Sequence, residues 1–174
     1  MHCYTECMTK TTLTLERSST LFLRIAVTTI GLGVLALCVF LLPVIWTDAY
    51  QEFPRCGYAV RAVVAAMYVS ALPFYVGIYK GWQVLHQIDK GRVFSTRSVK
   101  ALQAVAYCAA AVGLIYTLSL PFFYIWAQYV DAPGLMVIGM FLVGMPLIVS
   151  VAVGLLARLL REAVSIKFEN DLTV

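Results

Sequence analysis

The chain has 174 residues, of which 61% are apolar and 13% charged, with a net charge of +4 and a mean hydropathy of +0.86. Soluble domains carry about 45–50% apolar and about 25% charged residues, so this balance excludes a soluble globular protein. The stretches between apolar runs are too short for a separate soluble domain.

Residues 1–20 carry no periodic pattern and are expected to form a flexible cytoplasmic arm. Met8 offers a second start, since nothing before it adds to any pattern. Cys3 and Cys7, with His2 beside them, lack the second ligand pair of a metal site, so neither metal nor cofactor is expected.

Four apolar runs follow, Leu21 to Trp46 broken only by Arg24, Ala62 to Tyr79, Ala101 to Trp126 and Leu135 to Ala157. A hydrocarbon core roughly 30 Å thick needs about 20 helical residues, and each run meets or approaches that. The expected fold is therefore all-α and integral to the membrane, an antiparallel four-helix transmembrane bundle over 21–174 with a tail at 158–174. No small-residue cleavage pattern follows the first run, which is expected to stay as a span.

Small residues at four-residue spacing mark the expected helix contacts. They are Thr29 and Gly33; Ala62, Ala66 and Ser70; Ala109, Gly113 and Thr117; and Ser150 and Gly154. Gly139 has no small neighbour four residues away on either side. Pro43 and Pro121 fall near span ends, whereas Pro73 and Pro146 are interior and should kink their helices. Connections at Thr47 to Arg61 and Ala127 to Gly134 carry Pro54 and Pro133, as loops do.

The longest polar stretch separates the second and third runs. Ile78, Trp82, Leu85 and Ile88 keep one apolar stripe, so span 2 should continue as an amphipathic helix until Gly91 stops it. Ser95 suits an N-cap, which starts the third helix at Thr96. His86 is alone and reads as a surface group. After span 4, Leu156, Leu160, Val164 and Phe168 make another stripe, expected to pack on the Trp82 to Ile88 extension, with Asn170 as a left-handed cap. Helices 2 and 4 would thus extend into the cytoplasm.

Charge sets the threading. Lys10, Arg17, Arg24, Lys80, Lys90, Arg92, Arg97, Lys100, Arg158, Arg161 and Lys167 fall on one side, Arg55 and Arg61 on the other. Eleven against two puts both termini and the second loop in the cytoplasm. Topology explains the positive charge, and no direct nucleic-acid contact is expected. Only Cys56 would face outward, with Cys38 and Cys108 within spans, so no disulfide is expected.

Two segments carry a family resemblance. One runs Ile88-Asp89-Lys90-Gly91-Arg92-Val93-Phe94-Ser95-Thr96-Arg97-Ser98-Val99-Lys100-Ala101-Leu102, the other Phe168-Glu169-Asn170-Asp171-Leu172-Thr173-Val174. Together with the span order they resemble the bacterial membrane family of domain of unknown function 2975, although Phe168 stands where that family often has a further glutamate. The resemblance implies no assigned chemistry. It does imply a small helix-turn-helix transcriptional regulator as a candidate partner.

No Asp, Glu, His, Lys or Arg lies within a span away from its ends, so Ser70, Ser119, Ser150, Cys38 and Cys108 have no titratable partner there and no enzyme is expected. The expected role is regulatory or docking, with the 80–100 loop and the tail presented to a cytoplasmic protein. Gly91, Phe94, Ser95, Glu169, Asn170 and Asp171 are the candidate docking or capping residues. The alternative is a small oligomeric transporter or channel of two or more copies, lined by Tyr68, Tyr75, Tyr107 and Tyr116.

Overall fold

The computed structural model describes residues 21–52, 57–89 and 96–171, with side chains over 21–47, 57–87 and 96–166. Every regular element among the described residues is helical. Helix α1 covers 21–52, α2 is Gly57–Asp89, α3 is Thr96–Val130 and α4 is Pro133–Asp171. Four stretches within them, Leu21–Thr47, Gly57–Gln87, Thr96–Val130 and Pro133–Ile166, are long and apolar enough to cross a membrane.

Lipid explains the surface. Phe22, Ile25, Leu32, Phe40, Phe141 and Ile148 are all exposed, which would be ruinous in water and costs nothing against acyl chains. Burial falls on the middle of the row. In the most apolar part of α1 and of α4 only 6% of residues are buried within the protein, against 17% in α2 and 28% in α3. Among the described elements α2 packs on α3 and α3 on α4, while the later part of α1 packs on α2.

That order overturns one expectation. Helix α4 packs against α3, and among the described residues α4 and α2 share no comparable interface. Its buried line also differs, with Ala157 and Val164 inside and Leu156 58% exposed. A helix apolar on nearly every side gives lipid and protein faces the same composition, so the i,i+4 stripe had nothing to contrast with.

The α3–α4 connection is tighter than a loop from Ala127 to Gly134. Helix persists to Val130, and only Asp131 and Ala132 separate the two elements. Asp131 takes φ 52°, the left-handed residue that ends many helices. The Ala132 N–H then donates to the Ala127 carbonyl at 3.2 Å, closing the six-residue bond that satisfies an orphan carbonyl. Pro133 is the first residue of α4 rather than a loop residue, where its missing N–H is harmless and its fixed φ suits the helix.

At the other end of α4, helix continues through Asn170 to Asp171. Asn170 is therefore helical and not a left-handed cap, because no Gly or Pro intervenes to break the turn. Helix α3 is described from Thr96 onward, with Ser95 outside the described residues. Pro73, Pro121 and Pro146 all lie inside continuous helices.

Candidate functional site in the first helix pair

Helix α1 is not regular. Residues Leu37–Leu41 form a π-turn, closed by the Leu42 N–H donating to the Leu37 carbonyl. Pro43 explains it. With the Leu42 donor moved to Leu37, the Cys38 carbonyl would look to residue 43, and proline has no N–H to give. The orphan is satisfied from α2, where the Tyr68 hydroxyl donates to the Cys38 carbonyl at 3.0 Å. One turn pair further along, the Tyr75 hydroxyl donates to the Gly31 carbonyl at 2.9 Å. Gly31 is buried, and a Cβ there would meet Ile78 Cδ1 at 3.3 Å.

These contacts relocate the α1 interface. Thr29 and Gly33 are exposed, Thr29 donates to its own Ile25 carbonyl at 2.8 Å, and a Cβ at Gly33 would meet nothing within 4 Å. The face toward α2 is instead Gly31, Cys38 and the fully buried Leu42.

Both ends of the α1–α2 pair are held by an arginine over a tryptophan, with the roles exchanged. Arg24 of α1 lies 5.7 Å from the Trp82 ring centre of α2, and Arg61 of α2 lies 5.1 Å from the Trp46 ring centre of α1. Such contacts contribute about 0.5–1 kcal/mol when exposed and about 2 or more when desolvated. The single charge that interrupts the first apolar run thus has an aromatic partner at the level where tryptophan prefers to sit.

Toward the Arg24 end the two helices leave a gap, which the Tyr75–Gly31 bond bridges. A laterally open groove of about 390 Å³ runs between them, with Val27, Gly31 and Leu35 on one wall and Tyr75, Tyr79 and Trp82 on the other, and its lining is wholly apolar. Lys80 lies 5.9 Å from the Tyr79 ring centre and donates to Gln83 Oε1 at 3.5 Å, both contacts within α2.

The remaining tyrosines singled out as pore lining go separate ways. Tyr116 is buried against Ser70, their hydroxyls 3.0 Å apart, and Tyr107 is 77% exposed. Together with Tyr68 and Tyr75 they make three different interhelical contacts and one exposed ring.

Near the base of the long loop, Ser98 is buried and donates to Gln87 Oε1 at 2.9 Å, tying the end of α2 to the start of α3. Gly91, Phe94 and Ser95 lie outside the described residues. Glu169, Asn170 and Asp171 are helical, and their side chains lie outside the described set. Among the described residues no three His, Cys, Asp or Glu converge as metal ligands.

Residues 22–174, from α1 to the last residue, match the family described as "Protein of unknown function (DUF2975)". The chain belongs to this family. It is 41% identical over 160 residues to the "Uncharacterized membrane protein YoaS" of Bacillus subtilis (strain 168), a match that spans 92% of this chain and 100% of that one. No solved structure matches the chain. With four apolar helices inside the matched region, this DUF2975 member is an all-helical membrane protein.

Proposed function

We propose that the protein is a non-enzymatic docking protein of the bacterial inner membrane, with both termini and the 90–95 connection in the cytoplasm. The helices run antiparallel in this reading. The supporting contacts pair ascending with descending positions, Gly31 with Tyr75 and Cys38 with Tyr68, Gln87 with Ser98 and Ser70 with Tyr116, Ala106 with Ser150 and Gly113 with Leu147.

The length of α4 carries the proposal. Its 39 residues span about 58 Å at 1.5 Å per residue, against a hydrocarbon core of roughly 30 Å. Its first turn is tethered by the two-residue connection to α3, so the surplus emerges on the opposite side, with Arg158 and Arg161. Arg158 pairs with Glu162 at 3.9 Å in an exposed i,i+4 contact, the pattern of a solvated helix. Helix α2 ends on that same side, and eleven of the thirteen basic residues gather there. A helical surface of this kind, ending in the acidic Glu169 and Asp171, suits a basic soluble partner such as a helix-turn-helix regulator. The arm at 1–20 lies outside the described residues, and a pairing of protein copies remains part of this reading.

Two measurements test it. In sealed cells an impermeant thiol reagent should reach Cys56 and miss Cys3 and Cys7; labelling of the arm reverses the topology. Deleting Glu169 to Val174 should leave insertion and abundance unchanged while abolishing co-purification of the regulator, and Glu169→Ala with Asp171→Ala should weaken it. A truncated protein that folds and keeps the regulator removes the docking role.

A further inference from the structure

We infer that the π-turn at Leu37–Leu41 is a register device: its one extra residue brings Trp46 onto Arg61 while Arg24 keeps Trp82, so that α1 and α2 are clasped at both faces of the membrane.

The contacts between the two helices fall on heptads. On α2, Arg61, Tyr68, Tyr75 and Trp82 are each seven residues apart, and they meet Trp46, Cys38, Gly31 and Arg24 in turn. On α1, Arg24, Gly31 and Cys38 keep the same interval, but Trp46 comes eight residues after Cys38. Seven residues return a helix to nearly the same face, so a regular helix would set Ile45 opposite Arg61 and leave Trp46 about 100° away. The π-turn supplies the extra residue within that one interval.

Burial takes the same step at the same place. Before the turn Arg24, Val27, Gly31, Val34 and Cys38 are buried or half-buried, at alternate steps of three and four. That count selects Leu41 next, yet Leu41 is 51% exposed and Leu42 is fully buried.

Membrane thickness makes the register matter. From Arg61 to Trp82 the 21 residues rise about 31 Å, close to the roughly 30 Å of the hydrocarbon core. Each clasp therefore lies where tryptophan prefers to sit, and sliding α1 to mend one would draw the other out of its interface. Pro43 fits the same scheme. It stands five residues after Cys38, whose carbonyl Tyr68 serves. Removing one residue between them makes the interval four, at which proline ordinarily leaves a carbonyl without its donor, and Tyr68 would serve the same carbonyl.

The test uses the full chain in mild detergent, with Val39 deleted or with one alanine inserted after Val39. Double-mutant cycles on the unfolding equilibrium pair Arg61→Gln with Trp46→Leu, and Arg24→Gln with Trp82→Leu. In the unaltered chain each pair should show a coupling of roughly two- to fivefold in the equilibrium constant. The deletion restores three regular heptads between Arg24 and Trp46 and should keep both couplings. The insertion should abolish the Arg61–Trp46 coupling and leave the Arg24–Trp82 coupling intact. A deletion variant that fails to fold or loses the Arg61–Trp46 coupling, or an insertion variant that keeps it, overturns the register role. If the insertion variant does not fold, the deletion decides alone.

Discussion

Between α3 and α4 the helices meet so closely that a Cβ at Gly113 would stand 2.7 Å from Leu147 Cδ2, whereas α1 and α2 part far enough to leave a groove of about 390 Å³. The closer pair is joined by small residues in register. Ser150 donates to the Ala106 carbonyl at 2.8 Å, Gly154 faces Ala106 with a Cβ separation of 3.9 Å, and Gly139 faces Phe123 at 3.3 Å. The looser pair is joined by long side chains reaching across, tyrosines to carbonyls and arginines to tryptophans. In a bilayer, where lipid is as apolar as leucine, backbone approach and hydrogen bonds replace the hydrophobic effect as the adhesive. One pair uses mainly the first and the other mainly the second. A sealed seam and a recess open to lipid follow from that choice.

The largest effect expected from breaking this contrast comes at the seam. Gly113→Leu should destabilise by about 1–3 kcal/mol, because Gly113 is buried and the new side chain must push Leu147 aside. Gly139→Leu should cost less, since Phe123 is 3.3 Å away, and Gly33→Leu should cost nothing, since nothing lies within 4 Å. Folded fraction after heating in detergent would rank the three. Equal loss at Gly113 and Gly33 would remove the distinction between the pairs.

The α3–α4 turn gives the next effect. Asp131 sits at φ 52°, a conformation that costs a residue bearing Cβ roughly 1–2 kcal/mol, and less for Asp than for a branched side chain. Asp131→Val should lower stability by about 1 kcal/mol and Asp131→Gly should leave it level or slightly higher. Comparable denaturation midpoints for the two variants would mean that the turn does not set the α3–α4 seam.

Much of this architecture was legible in composition and spacing. Apolar runs located all four helices. The rows Gly113 and Ser150 with Gly154 identified the tight seam, because close backbone approach demands small residues. The faces of α1 and the end of α4 were not legible. Thr29 and Gly33 obey the same spacing rule as Gly113, yet face away from α2. Around a helix that is apolar on every side, two small residues carry no sign of which neighbour they meet. The π-turn at Leu37–Leu41 compounds this, since its extra residue rotates everything beyond it by about one helical position and breaks i,i+4 counting across it. Arg24 stood out as the lone charge in a span, but its partner Trp82 lies 58 positions away, a distance no local pattern can bridge.

The smallest effect expected is at that π-turn, and it tests whether hydrogen bonds from α2 hold the looser pair. Tyr68→Phe removes the donor to the Cys38 carbonyl and keeps the ring, so the loss should be about 0.6 kcal/mol, with roughly 1.7 as the ceiling for such bonds in membranes. Pro43→Ala restores an N–H two positions beyond the turn and gives α1 an internal donor for the carbonyl that Tyr68 now serves. In the Pro43→Ala background, Tyr68→Phe should therefore cost close to nothing, and the double-mutant cycle should report a coupling about equal to the single loss. Tyr75→Phe, whose acceptor Gly31 lies before the turn, should cost the same with or without Pro43. Additive losses at Tyr68 and Pro43 would mean that the Tyr68 bond is incidental, and that the α1–α2 pair rests on the Tyr75–Gly31 bond and its two arginine–tryptophan contacts.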